Sequence, residues 1–365
     1  MRWSPRLGGP SHNHHAMLEL HPGLVVLLSS GETSPSGGQV FETVVRRLAI
    51  PPRVAILETP AGFELNSALV AGRVADFLRR RLQNYQPEIA LVPARKRNTP
   101  FSPDDPALIR PLLNADLIFM GPGSPTYAVR QLAESRAWHT LIARHWLGAA
   151  LVFASAATTA TGAYVLPVYE IYKVGEDPHW RPGLDFFGAY GLSLVLVPHW
   201  NNAEGGADVD TSRCFMGQAR FAALLSLLPP GVTVVGIDEH SALVIDFETT
   251  ECQVTGHGGV TLITSGQEQL FVSGQSFPLT ALGPFHLPEP PARIPSAVWD
   301  EVLAAEASAP VARPSVPAEV IALVEERQAA RARRDWASAD QLRERIAAAG
   351  WDVRDTPEGP RLEPK

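Results

Sequence analysis

The sequence predicts an α/β fold built on a mostly parallel β-sheet, and two observations carry that expectation. Short apolar runs of strand length alternate with amphipathic stretches of helical period through the first half of the chain, the pattern of β-α-β units. Polar, glycine- and serine-bearing segments follow directly on those runs, where an open parallel sheet collects its ligands.

The elements follow in order. Leu24–Leu28 is a first strand running into Ser29-Ser30-Gly31-Glu32, and a helix is expected over Gln39–Leu48. Val54–Leu57 is the next strand, followed by helical periodicity from Ser67 to Leu82 with arginines on the outer face. Ile89–Val92 and Leu117–Met120 are the third and fourth strands, the latter ending in Gly121-Pro122-Gly123-Ser124. Helices near Tyr127–Glu134 and Trp138–Trp146 lead to the apolar run Ala149–Ala154, which stops at Ser155 and continues in small, helix-compatible residues. An irregular stretch, Val165–Tyr190, precedes strand Leu194–Val197 and the polar run Pro198-His199-Trp200-Asn201-Asn202. A helix over Arg213–Leu228, a strand over Val232–Ile237 and the pair Asp238-Glu239 come next. Ala242–Ile245, Cys252–Val254 and Val260–Ile263, with turn residues between, are expected to form antiparallel hairpins closing one edge of the sheet.

The organisation expected is a disordered leader over 1–20, with Met17 an alternative start, a main domain over 21–282, a Pro/Ala-rich linker over 283–316 with one short helical patch around Val298–Ala305, and a helical hairpin over 317–365. In the hairpin, one helix starts at Pro317 and a second covers Trp336–Ala349, stopping at Gly350. A hydrophobic fraction of 45% and a mean hydropathy near zero suit a chain with a real core. No apolar run reaches about 18 residues, and the first residues lack an apolar signal core, so no membrane association and a cytoplasmic location are expected. Two cysteines, Cys214 and Cys252, make neither a disulfide framework nor a metal-ligand cluster; no metal and no cofactor are expected. A net charge of −7 argues against nucleic-acid binding by the chain as a whole.

Ser155, His199 and Glu239 each fall at a predicted strand end. A hydrolytic triad needs a nucleophile, an imidazole to take its proton and a carboxylate to orient the imidazole, and these three supply those roles. Gly123 and Ala156 are the natural backbone donors to a developing oxyanion. Ser124, Asn201 and Arg213 join them as candidate substrate contacts. Each has a structural alternative that stays open here. Ser155 and Ser124 are favoured helix caps, His199 could hold a neighbouring carbonyl, and Asp238-Glu239 could cap a turn. The elbow also departs from G-x-S-x-G, with Phe153 and Ala157 at the glycine positions. A phenylalanine there could fill the site.

Ser155 in its elbow, the Gly-Pro-Gly-Ser loop, His199 after a strand and Gly236-Ile237-Asp238-Glu239-His240-Ser241-Ala242-Leu243 together resemble the dipeptidase E and cyanophycinase group, over about Leu24–Leu282. The resemblance implies a three-layer sandwich of the class I glutamine-amidotransferase type, with Ser155 as nucleophile, His199 as base and Glu239 as acid. Arginines after the histidine bind an acidic substrate in that group, which makes Arg213 and Arg220 candidates. Separately, Val324–Arg331, Ala339–Arg343, Gly350–Val353 and Asp355–Gly359 resemble the C-terminal appendage of cysteinyl-tRNA synthetase, which contributes to binding the anticodon end of tRNA.

The function expected is a serine hydrolase that cleaves a peptide or amide bond through an acyl-enzyme on Ser155. The alternative is a catalytically inactive, amidotransferase-like binding protein whose C-terminal hairpin contacts tRNA or a protein partner. Expected partners are a small peptide or amide substrate, tRNA or protein through the hairpin, and, as an open option, a second copy in a homodimer.

Overall fold

In the computed structural model, residues 20–49, 51–291, 293–308, 316–356 and 359–365 are described; the expected leader lies almost wholly outside them. The chain runs β1 (Val25–Leu28), α1 (Pro35–Val45), β2 (Arg53–Leu57), α2 (Ser67–Arg81), β3 (Glu88–Val92), α3 (Pro106–Ile109), β4 (Leu117–Met120), α4 (Pro125–Leu132), α5 (Arg136–Trp146), β5 (Ala150–Ala154) and α6 (Ala156–Ala160). It continues through β6 (Tyr164–Val165), β7 (Arg181–Pro182), β8 (Leu194–Val197), α7 (Gly217–Ser226), β9 (Thr233–Ile237), β10 (Ser241–Asp246), β11 (Glu251–Gly256), β12 (Gly259–Thr264), β13 (Gln267–Val272) and β14 (Ser276–Pro278). It closes with α8 (Ser296–Ala307), α9 (Ala318–Ala332), α10 (Trp336–Ala348), β15 (Trp351–Thr356) and β16 (Gly359–Pro364).

The architecture is α/β with parallel-rich sheets. The larger sheet has the order β14-β11-β10-β1-β5-β4-β2-β3, in which β1 to β5 are mutually parallel and β10, β11 and β14 are added antiparallel. β1, β4 and β5 are buried along their whole length, which is why they read as continuous apolar runs rather than alternating ones.

The strands from residue 164 onward depart from the single-sheet expectation. β13-β12-β9-β8-β6-β7 form a second sheet, so the expected edge hairpins are shared out: β10 and β11 join the first sheet, β12 and β13 the second. Burial explains the division. Val235, Ile237, Val260 and Leu262 of the second sheet pack into one core with Leu27, Ile118, Leu151 and Phe153 of the first, so two sheets close over it. On the outer face of the first sheet α1 and α2 cover Val26, Leu28, Ile56 and Phe119, and on the outer face of the second α7 covers Val195, Val197 and Val234.

Two further departures lie towards the C-terminus. The short helical patch expected in the linker is the 12-residue helix α8, and it is docked rather than free: its Val298, Trp299 and Val302 are buried, and Trp299 meets Trp146 of α5 edge-on at 6.1 Å. Ion pairs Arg136–Glu301 and Arg144–Glu306 fasten the same helix. The final segment is more than a helical hairpin, because β15 and β16 add an antiparallel ribbon after α10. Val320, Ile321 and Val324 of α9 join the core under α1 and α2, and Glu325 accepts hydrogen bonds from Tyr85 at 2.7 Å and Arg46 at 2.8 Å. Among the described residues, no helix is long and apolar enough to cross a membrane.

Candidate active site

β5 lies between β1 and β4 in the middle of the first sheet, so the residue after it emerges at the centre of the carboxyl edge. That residue is Ser155, with φ +53° and ψ −112°, a conformation a non-glycine residue rarely takes. Its amide donates to Leu28 O at 3.0 Å, and Thr158 Oγ1 donates to both Leu28 O and Phe153 O at 2.9 Å. These bonds tie the turn to the sheet and hold the strained residue. The Ser155 hydroxyl caps no helix amide. It lies 2.9 Å from His199 Nε2.

His199 and Glu239 come from the second sheet. His199 follows β8, and its amide donates to Ser29 Oγ at 2.7 Å, so the end of β1 fixes the histidine backbone. Glu239 follows β9, and its Oε1 lies 3.0 Å from His199 Nδ1. The two adjacent carboxylates divide the roles that the sequence left open. Asp238 accepts from the Gly259 amide at 2.9 Å, closing the turn into β12, while Glu239 turns to the imidazole. Partial burial pushes the Glu239 carboxyl up, but hydrogen bonds from Asn202 and His199 outweigh it and hold the group below its ordinary value.

Gly123 and Ala156 line a cleft of about 230 Å³ over Ser155. Gly123 has φ +145°, and a Cβ there would lie 2.0 Å from Pro60 O, so the loop can pass over the helix-entry turn at 59–61 only as glycine. The other three sequence candidates are engaged differently. Ser124 is the cap of α4, its Oγ accepting from the Tyr127 amide at 3.2 Å, and it faces a neighbouring basin rather than the cleft. Asn201 Oδ1 accepts from the Glu239 amide at 2.8 Å, which holds the carboxylate loop. Arg213 lies 3.9 Å over the Trp200 ring and donates to Trp200 O at 3.2 Å, so it braces the loop after His199. Arg220, on α7, is also absent from the cleft lining.

Phe153 does not occupy the cleft. Its side chain is fully buried in the inter-sheet core, 6.0 Å edge-on from Phe186, and Ala157 is buried beside it. The elbow glycines are thus replaced by residues that pack inward.

Other groups at the site carried weaker signals. Asn202 is buried and donates to Glu239 Oε1 at 2.9 Å, while its Oδ1 accepts from the Glu204 amide at 3.2 Å. Its position three residues after the histidine is the one clue to it. Tyr169, Tyr172 and Lys173 form a cleft wall on and beside a single π-helical turn, Glu170–Val174, which has no periodicity to reveal it. Cys214 lines the floor, but burial and the nearby Glu239 push its thiol up to about 12, leaving it protonated at neutral pH. Among the described residues, no three His, Cys, Asp or Glu side chains are grouped to hold a metal ion.

The fold is similar to that of a peptidase from an acI-B1 Actinobacterium, with a TM-score of 0.56 and 22% sequence identity over 71% of this chain and 98% of that one. Residues 313–359 match the family described as the cysteinyl-tRNA ligase anticodon binding domain. Over that region the chain is 60% identical across 47 residues to cysteine–tRNA ligase 1 of Burkholderia lata, covering 13% of this chain and 10% of the ligase. It is 57% identical across 49 residues to the cysteine–tRNA ligase of Opitutus terrae, and 51% identical across 47 residues to that of Methanosarcina mazei. This chain spans about a tenth of the length of the curated ligases it matches.

Proposed function

We propose that this protein is a serine hydrolase acting on a peptide or amide bond. The observation that carries the reading is the unbroken relay from Ser155 Oγ to His199 Nε2 and from His199 Nδ1 to Glu239 Oε1, at 2.9 and 3.0 Å, with the serine in a strained elbow at a cleft. In this reading His199 takes the hydroxyl proton as Ser155 attacks the carbonyl carbon. The tetrahedral oxyanion forms beside the amides of Gly123 and Ala156. Collapse expels the amine, which receives the proton from His199, and water then cleaves the ester by the same route. Glu239, held ionised, stabilises the imidazolium at each stage. The likeness to a peptidase fold and the placement of Phe153 outside the cleft support turnover over an inactive binding role. A fluorophosphonate probe should label the full chain at Ser155 and fail to label Ser155→Ala or His199→Ala. Absence of labelling in the wild-type chain would refute the reading.

A second role is proposed for the C-terminal unit, resting on the match to the anticodon binding domain and on one exposed aromatic. Trp336 is 57% exposed at the α9–α10 turn, with the Arg331 guanidinium 5.7 Å over its ring. Such a pair suits an unstacked base. Transfer RNA should bind the full chain and release in Trp336→Ala; equal retention by both proteins would remove this role.

A further inference from the structure

A second, larger basin adjoins the cleft. Its volume is about 730 Å³ against about 230 Å³ for the space over Ser155, and Tyr169 lines both. The two are interleaved along the start of α4 as well: Gly123 and Pro125 face the cleft, Ser124 and Thr126 the basin. A chain leaving the nucleophile past Tyr169 therefore enters the basin directly.

The walls of the basin suit a peptide. Phe63 and Tyr169 are 50% and 46% exposed, an unusual state for two large rings that border the same depression. Tyr127, 5.1 Å from Phe63, is fixed by its hydroxyl donating to Arg95 O at 2.9 Å. The charges are unbalanced. Of the two carboxylates, Glu170 has its Oε1 engaged by Thr126 at 2.7 Å and by Arg181 at 3.4 Å and its Oε2 buried without a hydrogen-bond partner among the described residues, leaving Glu64. Lys96 and Arg130 have no carboxylate partner among the described residues; Arg130 lies 5.1 Å over the Tyr127 ring. Two cations without a carboxylate partner, against Glu64 and a Glu170 whose Oε1 is engaged and Oε2 buried, stand beside aromatic walls and form a surface complementary to an anionic peptide segment.

We propose that this basin is a subsite for an extended peptide, in which Lys96 and Arg130 hold a substrate carboxylate lying beyond the residues that flank the bond at Ser155. The proposal rests on the hydrolase reading and gives it a substrate class: peptides long enough to cross Tyr169, acidic on the far side. The test is equilibrium binding to the full-length Ser155→Ala protein, so turnover is not required. The probes are fluorescein-labelled alanine hexapeptides with two glutamates, two glutamines or two lysines at each adjacent pair of positions. At one placement the glutamate peptide should bind about tenfold tighter than its glutamine counterpart, and the difference should shrink as salt is raised. Adding Lys96→Ala and Arg130→Ala should abolish the difference, and Arg130→Glu should turn the preference towards the lysine peptide. Equal binding of glutamate and glutamine peptides at every placement, or a preference that survives the double substitution, would overturn the proposal. Fluorophosphonate capture by the wild-type chain reports separately on the nucleophile, so a failed subsite and a failed nucleophile give different results.

Discussion

Asn202→Ala is the most informative substitution near the site, because Asn202 is buried and its side chain touches the relay only through Glu239. Its amide gives Glu239 Oε1 a hydrogen bond of 2.9 Å beside the one from His199. Hydrogen bonds to charged groups contribute about 1.5–3 kcal/mol. The Glu239 side chain is 30% exposed, so water takes over part of the lost bond and the lower end applies. About 1.5 kcal/mol corresponds to about a tenfold slower reaction of Ser155. The pH dependence has a definite sign. Asn202 helps hold the Glu239 carboxyl below its ordinary value, so removing it raises that pKa. The ionised form is then lost at a higher pH as the solution is acidified, and the acid limb of the rate profile moves up. Asn202→Asp should move it further, since a second carboxylate would face the first. The assay is the second-order rate of Ser155 inactivation by a fluorophosphonate as a function of pH, which needs no known substrate. An Asn202→Ala profile superimposable on the wild type in both height and position would show that the carboxylate is held by His199 alone.

Three other substitutions separate packing from chemistry. Phe153→Ala should cost about 3–5 kcal/mol of stability, as expected for a fully buried ring, with little change in the inactivation rate of the folded protein; urea unfolding and labelling measured together check this, and faster labelling without loss of stability would contradict the inward placement. Gly123→Ala should slow labelling sharply, because the new methyl meets Pro60 O and the loop must shift, with backbone strain of about 1–3 kcal/mol added. Tyr85→Phe removes the hydroxyl that donates to Glu325 and should weaken the seat of α9 by about 1–2 kcal/mol, read as faster amide exchange at Val320–Val324.

Much of the fold was legible because buried parallel strands announce themselves. β1, β4, β5 and β8, and β2 after Arg53, are continuous apolar runs, and α2 and α10 begin where periodicity and chain punctuation place them. The elements that escaped were those with no such signal: β6 and β7 are two residues long, the π-helical turn has no repeat, and β13 is exposed along most of its length. α8 showed only as a short helical patch around Val298–Ala305 within proline-rich composition, and its docking through Val298, Trp299 and Val302 is what the linker expectation left out.

For the site, the sequence by itself determined which residue types stand at strand ends: Ser155 after β5, His199 after β8, Asp238 and Glu239 after β9. Local pattern is sufficient for this because an apolar run must stop where the sheet meets water. It could not determine which side chains meet. Ser155 belongs to one sheet and His199 and Glu239 to the other, and only the closing of the two sheets over their shared core brings them within hydrogen-bond reach. The same packing turns Phe153 inward, assigns Asp238 to a turn and Glu239 to the imidazole, and places the bracing roles on Asn201, Asn202 and Arg213. Those choices depend on distances between segments far apart in the chain, and one-dimensional periodicity carries no information about such distances.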